Sequence, residues 1–272
     1  MIRFPNAKIN LGLNIVSKRP DGYHNLETIF YPIGIKDALE VVVSSGKEDT
    51  FTNSGIAIDG PAEKNLVMKA LKLVREIADF PIVDVFLQKN IPFGAGLGGG
   101  SADAAEMLLL LNELFSLNIS EEKLLEVASR LGADCAFFIK NRPVFASGIG
   151  NIFEAIEFSL SGYWLVLVKP PIHVSTPDAY SMVKPQLPYL KLTEIVKRPI
   201  AEWQNLMVND FEKSVFAKYP AIDNIKQSLI QRGARYASMS GSGSSVFALF
   251  EQKPQLDSAD FPNCYFWCEQ LM

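Results

Sequence analysis

The residues of this chain best suited to chemistry gather in one stretch, Ile91-Pro92-Phe93-Gly94-Ala95-Gly96-Leu97-Gly98-Gly99-Gly100-Ser101-Ala102-Asp103. Five glycines in seven positions remove the Cβ atoms that would hold a backbone away from a ligand, and they permit turns with positive φ. Where such a loop opens a helix, free N–H groups and the positive end of the helix dipole face whatever sits in it. The natural guest is a phosphate. Ser101 is placed to cap that helix. A P-loop is excluded, because its lysine-serine/threonine ending is missing. Gly94, Gly96 and Gly99 satisfy the G-x-G-x-x-G of dinucleotide sites, but the context fails. Lys89-Asn90-Ile91-Pro92 separates strand from loop, and no second strand ending in an acid follows about twenty residues beyond the helix. A flexible linker is the bland alternative, and the strand and helix that flank the loop closely argue against it.

Four further places carry side chains of interest. Residues 8–16 alternate, with Ile9, Leu11, Leu13 and Ile15 on one side and Lys8, Asn10, Gly12 and Asn14 on the other. That polar face suits a solvated strand as well as it suits a pocket wall. Pro20-Asp21-Gly22 has turn chemistry and presents Tyr23-His24, a pair as fit for packing as for recognition. Asp134 follows Gly132 at a junction between elements, where an acid either caps or reacts. Ser238-Met239-Ser240-Gly241-Ser242-Gly243-Ser244-Ser245 forms a second small-residue loop, this one preceding a strand.

The elements that must position these groups read as follows. A strand over Val83–Leu87 enters the glycine loop, and a helix from Ala104 to Phe115 leaves it. Leu39–Ser44 and Ile56–Ile58 read as strands, and Asn65–Asp79 as an amphipathic helix beginning near Asp59-Gly60-Pro61. Ser120 caps a helix running to Leu131, Gly132 stops it, and Ala136–Ile139 reads as an apolar strand. Tyr163–Val168 is a continuous apolar strand that opens a second unit, which divides the chain into domains 1–158 and 159–272. Thr176 caps a short helix with Pro177 in its first turn, and 203–218 reads as helical. Ile222, Ile225 and Leu229 mark a helix ended by Gly233, and Val246–Phe250 is a buried strand. With 272 residues, 48% of them apolar, the chain can bury a sizeable core. A net charge of −4 with no basic face argues against a nucleic-acid partner. No apolar run reaches membrane-spanning length, and Met1 to Asn6 shows no signal-peptide core. Cys135, Cys264 and Cys268 fit no paired spacing and read as reduced thiols of a cytoplasmic protein.

Taken together, Pro5-Asn6-Ala7-Lys8-Ile9-Asn10, the segment Pro92 to Ala102, and Gly241-Ser242-Gly243-Ser244-Ser245 resemble, in order, the three motifs of the GHMP kinases. Arg19-Pro20-Asp21-Gly22-Tyr23-His24 and Leu131-Gly132-Ala133-Asp134 resemble the branch whose members phosphorylate a cytidine diphosphate-linked polyol in isoprenoid and terpenoid biosynthesis. The resemblance implies a two-domain α+β fold, its N-terminal domain like domain 2 of ribosomal protein S5 and its C-terminal domain ferredoxin-like. It implies that Pro92, Phe93, Gly94, Ala95, Gly96, Leu97, Gly98, Gly99, Gly100, Ser101 and Ala102 bind ATP, with Mg²⁺ bridging its phosphates and the Ser101 hydroxyl a ligand. Lys8 and Asp134 take the catalytic roles. The small-molecule substrate falls to Asn10, Tyr23, His24, Thr176, Tyr180, Gly241, Ser242 and Gly243, with Tyr23 stacking on cytosine and Tyr180 as a second platform. These roles match what phosphoryl transfer asks for: placement, charge neutralisation and help in removing a hydroxyl proton. The enzyme is expected as a monomer or weak homodimer with neither nucleic acid nor membrane as partner. One departure stands out: Ala136 occupies a place where the family usually has proline. Two alternatives remain at this point. A kinase of the mevalonate or homoserine type would have no reason for Asp-Gly-Tyr-His, and a catalytically silent nucleotide-binding protein would not need Lys8 and Asp134 together.

Overall fold

Alternating and continuous apolar runs sort the chain into twelve named strands, and helical spacing gives nine α-helices, among the residues described. The structure, a computed structural model, describes residues 1–58 and 60–272, so the Asp59 end of the turn expected before the first helix lies outside it. In chain order the elements are β1 (Ile2–Arg3), β2 (Asn6–Lys18), β3 (His24–Lys36), β4 (Ala38–Val43), β5 (Thr50–Gly55), α1 (Leu66–Arg75), β6 (Val83–Lys89), α2 (Gly99–Leu114), α3 (Glu121–Leu131), α4 (Cys135–Lys140), β7 (Val144–Ser147), β8 (Ile152–Ala155) and β9 (Trp164–Lys169). After these come α5 (Thr176–Tyr180), α6 (Leu192–Ile195), α7 (Trp203–Leu206), α8 (Glu212–Lys218), α9 (Pro220–Gln231), β10 (Tyr236–Met239), β11 (Val246–Phe250) and β12 (Tyr265–Gln270). They form two compact units. One holds residues 1–7, 35–93 and 98–142; the other holds 8–34, 94–97 and 143–272.

The first unit is built on the sheet β1-β4-β6-β5, in which β4 runs antiparallel to β6 and β5 parallel to it. Period-two alternation buries Val83, Val85 and Leu87 of β6 together with Leu39 and Val41 of β4. The helices α1, α3 and α4 pack around α2. Ala102, Ala104, Ala105, Met107, Leu108, Leu110 and Leu111 of α2 are all fully buried, so this helix is apolar over most of its surface, as a central helix must be, with Glu106 and Glu113 left to pair with Arg3. Each buried Leu or Met contributes about 1.5–3 kcal/mol. That outweighs the roughly 1 kcal/mol each glycine in the first turn costs relative to alanine. Packing therefore holds in place a helix start that propensity alone would not.

The second unit holds two four-stranded sheets, β2-β3-β7-β8 and β10-β11-β9-β12. In the latter every pairing is antiparallel, with β9 and β11 at the centre. This is the strand order of a ferredoxin-like unit, whose second crossover is here reduced to one turn at Ser258–Asp260. Ile222, Ile225 and Leu229 of α9 share a core with Val166, Val168, Val246 and Ala248.

Several elements differ from expectation. The helix after the glycine loop begins at Gly99, with Gly98 (φ 71°) as its cap, because only a glycine makes that left-handed turn without strain. Ser101 therefore lies inside the first turn and caps nothing. Ala136–Ile139 is helical, within α4; a short apolar run does not distinguish strand from helix. Ser175, not Thr176, caps α5 by accepting from the Asp178 N–H. The strand expected at Ile56–Ile58 lies earlier, at Thr50–Gly55, and the 203–218 helix is broken in two by an extended stretch around Asn209.

Candidate active site

In the second unit the polar face of β2 is a buried wall. Lys8 and Asn10 are each 3% exposed. Lys8 Nζ donates to Asn10 Oδ1 at 2.7 Å, Asn10 Nδ2 donates to Thr28 Oγ1 at 3.0 Å, and the Thr28 hydroxyl donates to the Gly12 carbonyl at 2.6 Å. The ammonium also lies 4.7 Å from the centre of the Phe30 ring. A buried cation must be bonded, and this relay fixes where its charge sits.

The same strand is tied to both glycine motifs. The Lys8 N–H bonds the Leu97 carbonyl at 3.0 Å. The Ser240 hydroxyl accepts from the Asn10 N–H at 3.2 Å and donates to the Gly96 carbonyl at 2.8 Å. A Cβ at Gly96 would run into the Ser240 carbonyl oxygen, so that approach requires glycine. Asn209 Nδ2 holds the next turn through the Met239 and Gly241 carbonyls, both at 2.8 Å. Gly241 and Gly243 are buried there, and Ser242 is half-buried. Three motifs far apart in the sequence thus meet around one serine hydroxyl.

The Asp-Gly-Tyr-His turn is pinned by its own charges. The Arg19 guanidinium donates to Asp21 at 2.8 Å, the Tyr23 N–H donates to Asp21 Oδ1 at 3.1 Å, and Arg19 holds the Asp21 carboxyl below its usual range. Tyr23 projects with 65% of its surface exposed. His24 stacks on Tyr180, ring centres 4.8 Å apart, and Tyr180 meets Phe211 edge-on at 4.7 Å. One face of Tyr180 therefore already carries the imidazole. Thr176, in the first turn of α5, is exposed.

In the first unit α2 presents its bare N-terminus. Its first turn holds no acidic side chain, and the N–H groups of Gly99, Gly100 and Ser101 have no acceptor within the helix. Pro92, Ala102 and Gly99 are buried, and Phe93 is exposed at the edge of a cavity of about 380 Å³. Phe51, Ile58, Asn65, Leu66, Lys89, Gly100 and Asp103 line the same cavity. Ser101 is hydrogen-bonded to the Cys135 thiol, which burial pushes up to about 11. That bond joins the first turn of α2 to the first turn of α4. Asp134 stands immediately before α4, yet its carboxylate makes no capping bond to that helix. The capping role weighed from sequence is thereby removed.

The geometry finds its counterpart among known proteins. The family model of the GHMP kinases N terminal domain matches residues 65–142, and that of the GHMP kinases C terminal domain matches 192–260. A Bacteroides fragilis protein named 4-diphosphocytidyl-2-C-methyl-D-erythritol kinase is 58% identical over 273 residues, with both chains covered completely. The chain belongs to this family of GHMP kinases. A relative of the same name from Parabacteroides distasonis is 57% identical, again over the whole of both chains. A crystal structure of 4-(cytidine 5'-diphospho)-2C-methyl-D-erythritol kinase superposes with a TM-score of 0.80 at 33% identity, covering 93% of this chain and 91% of that one. The fold is the two-domain α+β fold of the GHMP kinases, and the protein is a kinase. The glycine loop and Asp134 fall within the N-terminal match and Gly241 to Gly243 within the C-terminal one, whereas Lys8 to His24 are covered only by the full-length relatives.

Sequence reasoning overlooked a buried charge cluster. Lys89 Nζ pairs with Asp37 and lies 2.7 Å from Asp103 Oδ2. The signal was present in the two ionisable residues that bracket the glycine loop, and only burial makes them notable. His173 was also missed: a Cβ at Gly94 would lie 3.2 Å from its Nδ1.

Proposed function

We propose that this chain transfers the γ-phosphoryl group of ATP to the 2-hydroxyl of 4-diphosphocytidyl-2-C-methyl-D-erythritol, a step of non-mevalonate isoprenoid biosynthesis. The observation that carries the reading is full-length identity of 58% to a relative bearing that enzyme's name. The bare N-terminus of α2 receives the phosphates, and the cavity beside it, with Phe51, Ile58, Leu66 and Phe93 on its wall, receives the base. Asp134 accepts the hydroxyl proton as the oxygen attacks the γ-phosphorus and ADP leaves. Lys8, oriented by Asn10, offsets negative charge on the transferring group. Tyr23 stacks on the cytosine, His24 reads its polar edge, and Tyr180 holds the imidazole from behind.

Among the described residues no group of three His, Cys, Asp or Glu side chains could hold a metal. Mg²⁺ would enter as part of the nucleotide substrate, with Ser101 the hydroxyl assigned to reach it. No helix among the described residues is long and apolar enough to cross a membrane. We assign the family's two domains to 1–158 and 159–272, and the enzyme to the cytoplasm as a monomer or weak homodimer. The deciding experiment is ADP release measured against the cytidylated methylerythritol, mevalonate, homoserine and galactose. Turnover of the first alone is expected; preference for any other, or no turnover of any, overturns the assignment.

A further inference from the structure

Three charges in the first unit sit almost without water. Lys89 and Asp103 are 2% exposed and Asp37 is 1% exposed. The Lys89 ammonium, at the end of β6, lies between the two carboxylates. The second oxygen of Asp37 accepts the N–H groups of Asn90 at 2.6 Å and Ile91 at 2.8 Å. The second oxygen of Asp103, by contrast, is buried with no donor. Two acids against one base is an unbalanced buried cluster, and burial pushes the Asp103 carboxyl up to about 8. Replacing such clusters by well-packed apolar residues is often neutral or stabilising, so stability alone does not account for it. Its location does. Lys89, Asn90 and Ile91 are the entrance to the glycine loop, and Asp103 lies one turn into the helix at its exit. The first turn of α2 rests directly on this cluster: a Cβ at Gly99 would lie 2.8 Å from Ile91 Cγ2 and 3.3 Å from Lys89 Nζ.

We propose that Lys89 and Asp103 are positioning residues for the nucleotide, their hydrogen bond locking the first turn of α2 against the end of β6. The N–H groups of Gly99, Gly100 and Ser101 then keep one direction toward the phosphates. The inference rests on the reading of this helix N-terminus as the ATP site. Misdirection of such groups weakens nucleotide binding and leaves the second substrate's contacts, made by other elements, intact.

The test is a set of variants, Lys89→Met, Asp103→Leu and Asp103→Asn, compared with wild type in the KM for ATP, the KM for the cytidylated alcohol, kcat and Tm. Lys89→Met and Asp103→Leu should raise the KM for ATP about ten-fold or more, as misplacing a positioned group does. The other KM should stay in place and kcat within about three-fold. Asp103→Asn keeps an acceptor for Lys89 and should recover most of the loss. An unchanged KM for ATP, or an equal rise in both KM values alongside a fallen Tm, overturns the proposal. Should Lys89→Met fail to fold, the two Asp103 variants decide. Failure of the parent reading is distinguishable, since wild type itself would then turn over no alcohol with ATP.

Discussion

At the scale of the residue, the difference between a cap and a base is one hydrogen bond. Asp134 lies where a cap belongs but makes no capping hydrogen bond to the helix it precedes. With Asp134 as the proposed base, Asp134→Asn should keep the fold and ATP affinity while kcat falls by about 10²-fold or more, the usual loss for a positioned base. Turnover within a few-fold of wild type would return it to a structural part. Tyr23 offers a second test, because its ring spends most of its surface on solvent. Stacking on a base is worth about 1–3 kcal/mol, so Tyr23→Ala should raise the KM for the cytidylated alcohol roughly ten- to a hundred-fold and leave that for ATP alone. Tyr23→Phe should be mild. Equal losses for both substrates would make Tyr23 a mere support. The local conformation of individual residues was legible wherever type and spacing suffice, as at the positive-φ glycines 94, 96 and 98 and along the Lys8 strand. It was illegible at Lys89 and Asp103, whose meaning lies in burial, a property of neighbours that sequence distance hides.

At the scale of the element, the glycines of the loop are not equivalent. Gly96 is required by a backbone contact, and Gly99 by the side chains of Ile91 and Lys89. Gly100 has ordinary helical φ, and a Cβ there would find only Leu66 Cδ1, at 3.7 Å. Gly100→Ala therefore suits the protein and offends only a ligand. Gly-to-Ala within a helix stabilises by roughly 0.5–1 kcal/mol, so Tm should rise by about 1–4 °C while calorimetric affinity for ATP drops. Unchanged affinity would mean that no phosphate lies against this turn. Continuous apolar runs made β9 and β11 readable, and helical spacing did the same for α1, α3 and α9. Other strands left little trace, among them β3, β5, β7, β8, β10 and β12. β5, Thr-Phe-Thr-Asn-Ser-Gly, pairs at a sheet edge with few apolar side chains, and β3 follows so directly from the Tyr23 turn that its first residues read as loop.

At the scale of the whole molecule, residues 8–34 belong with 143–272 rather than with their own neighbours in sequence. Nothing in local pattern announces that, because periodicity reports which face of a strand is buried and not which distant strand covers it. The meeting of Asn10 with Ser240 spans 230 residues. A ribosome adding about 5–20 residues per second takes on the order of ten seconds to a minute to cover that span. During this interval the nascent chain displays Lys8 and its asparagines with no hydroxyl to tether them to the loop. The tether that Ser240 makes between Asn10 and Gly96 thus closes only when nearly all of the chain has been made. A messenger cut short before codon 240 yields a fragment in which the Lys8 N–H can still bond the Leu97 carbonyl but no serine hydroxyl stands between Asn10 and Gly96.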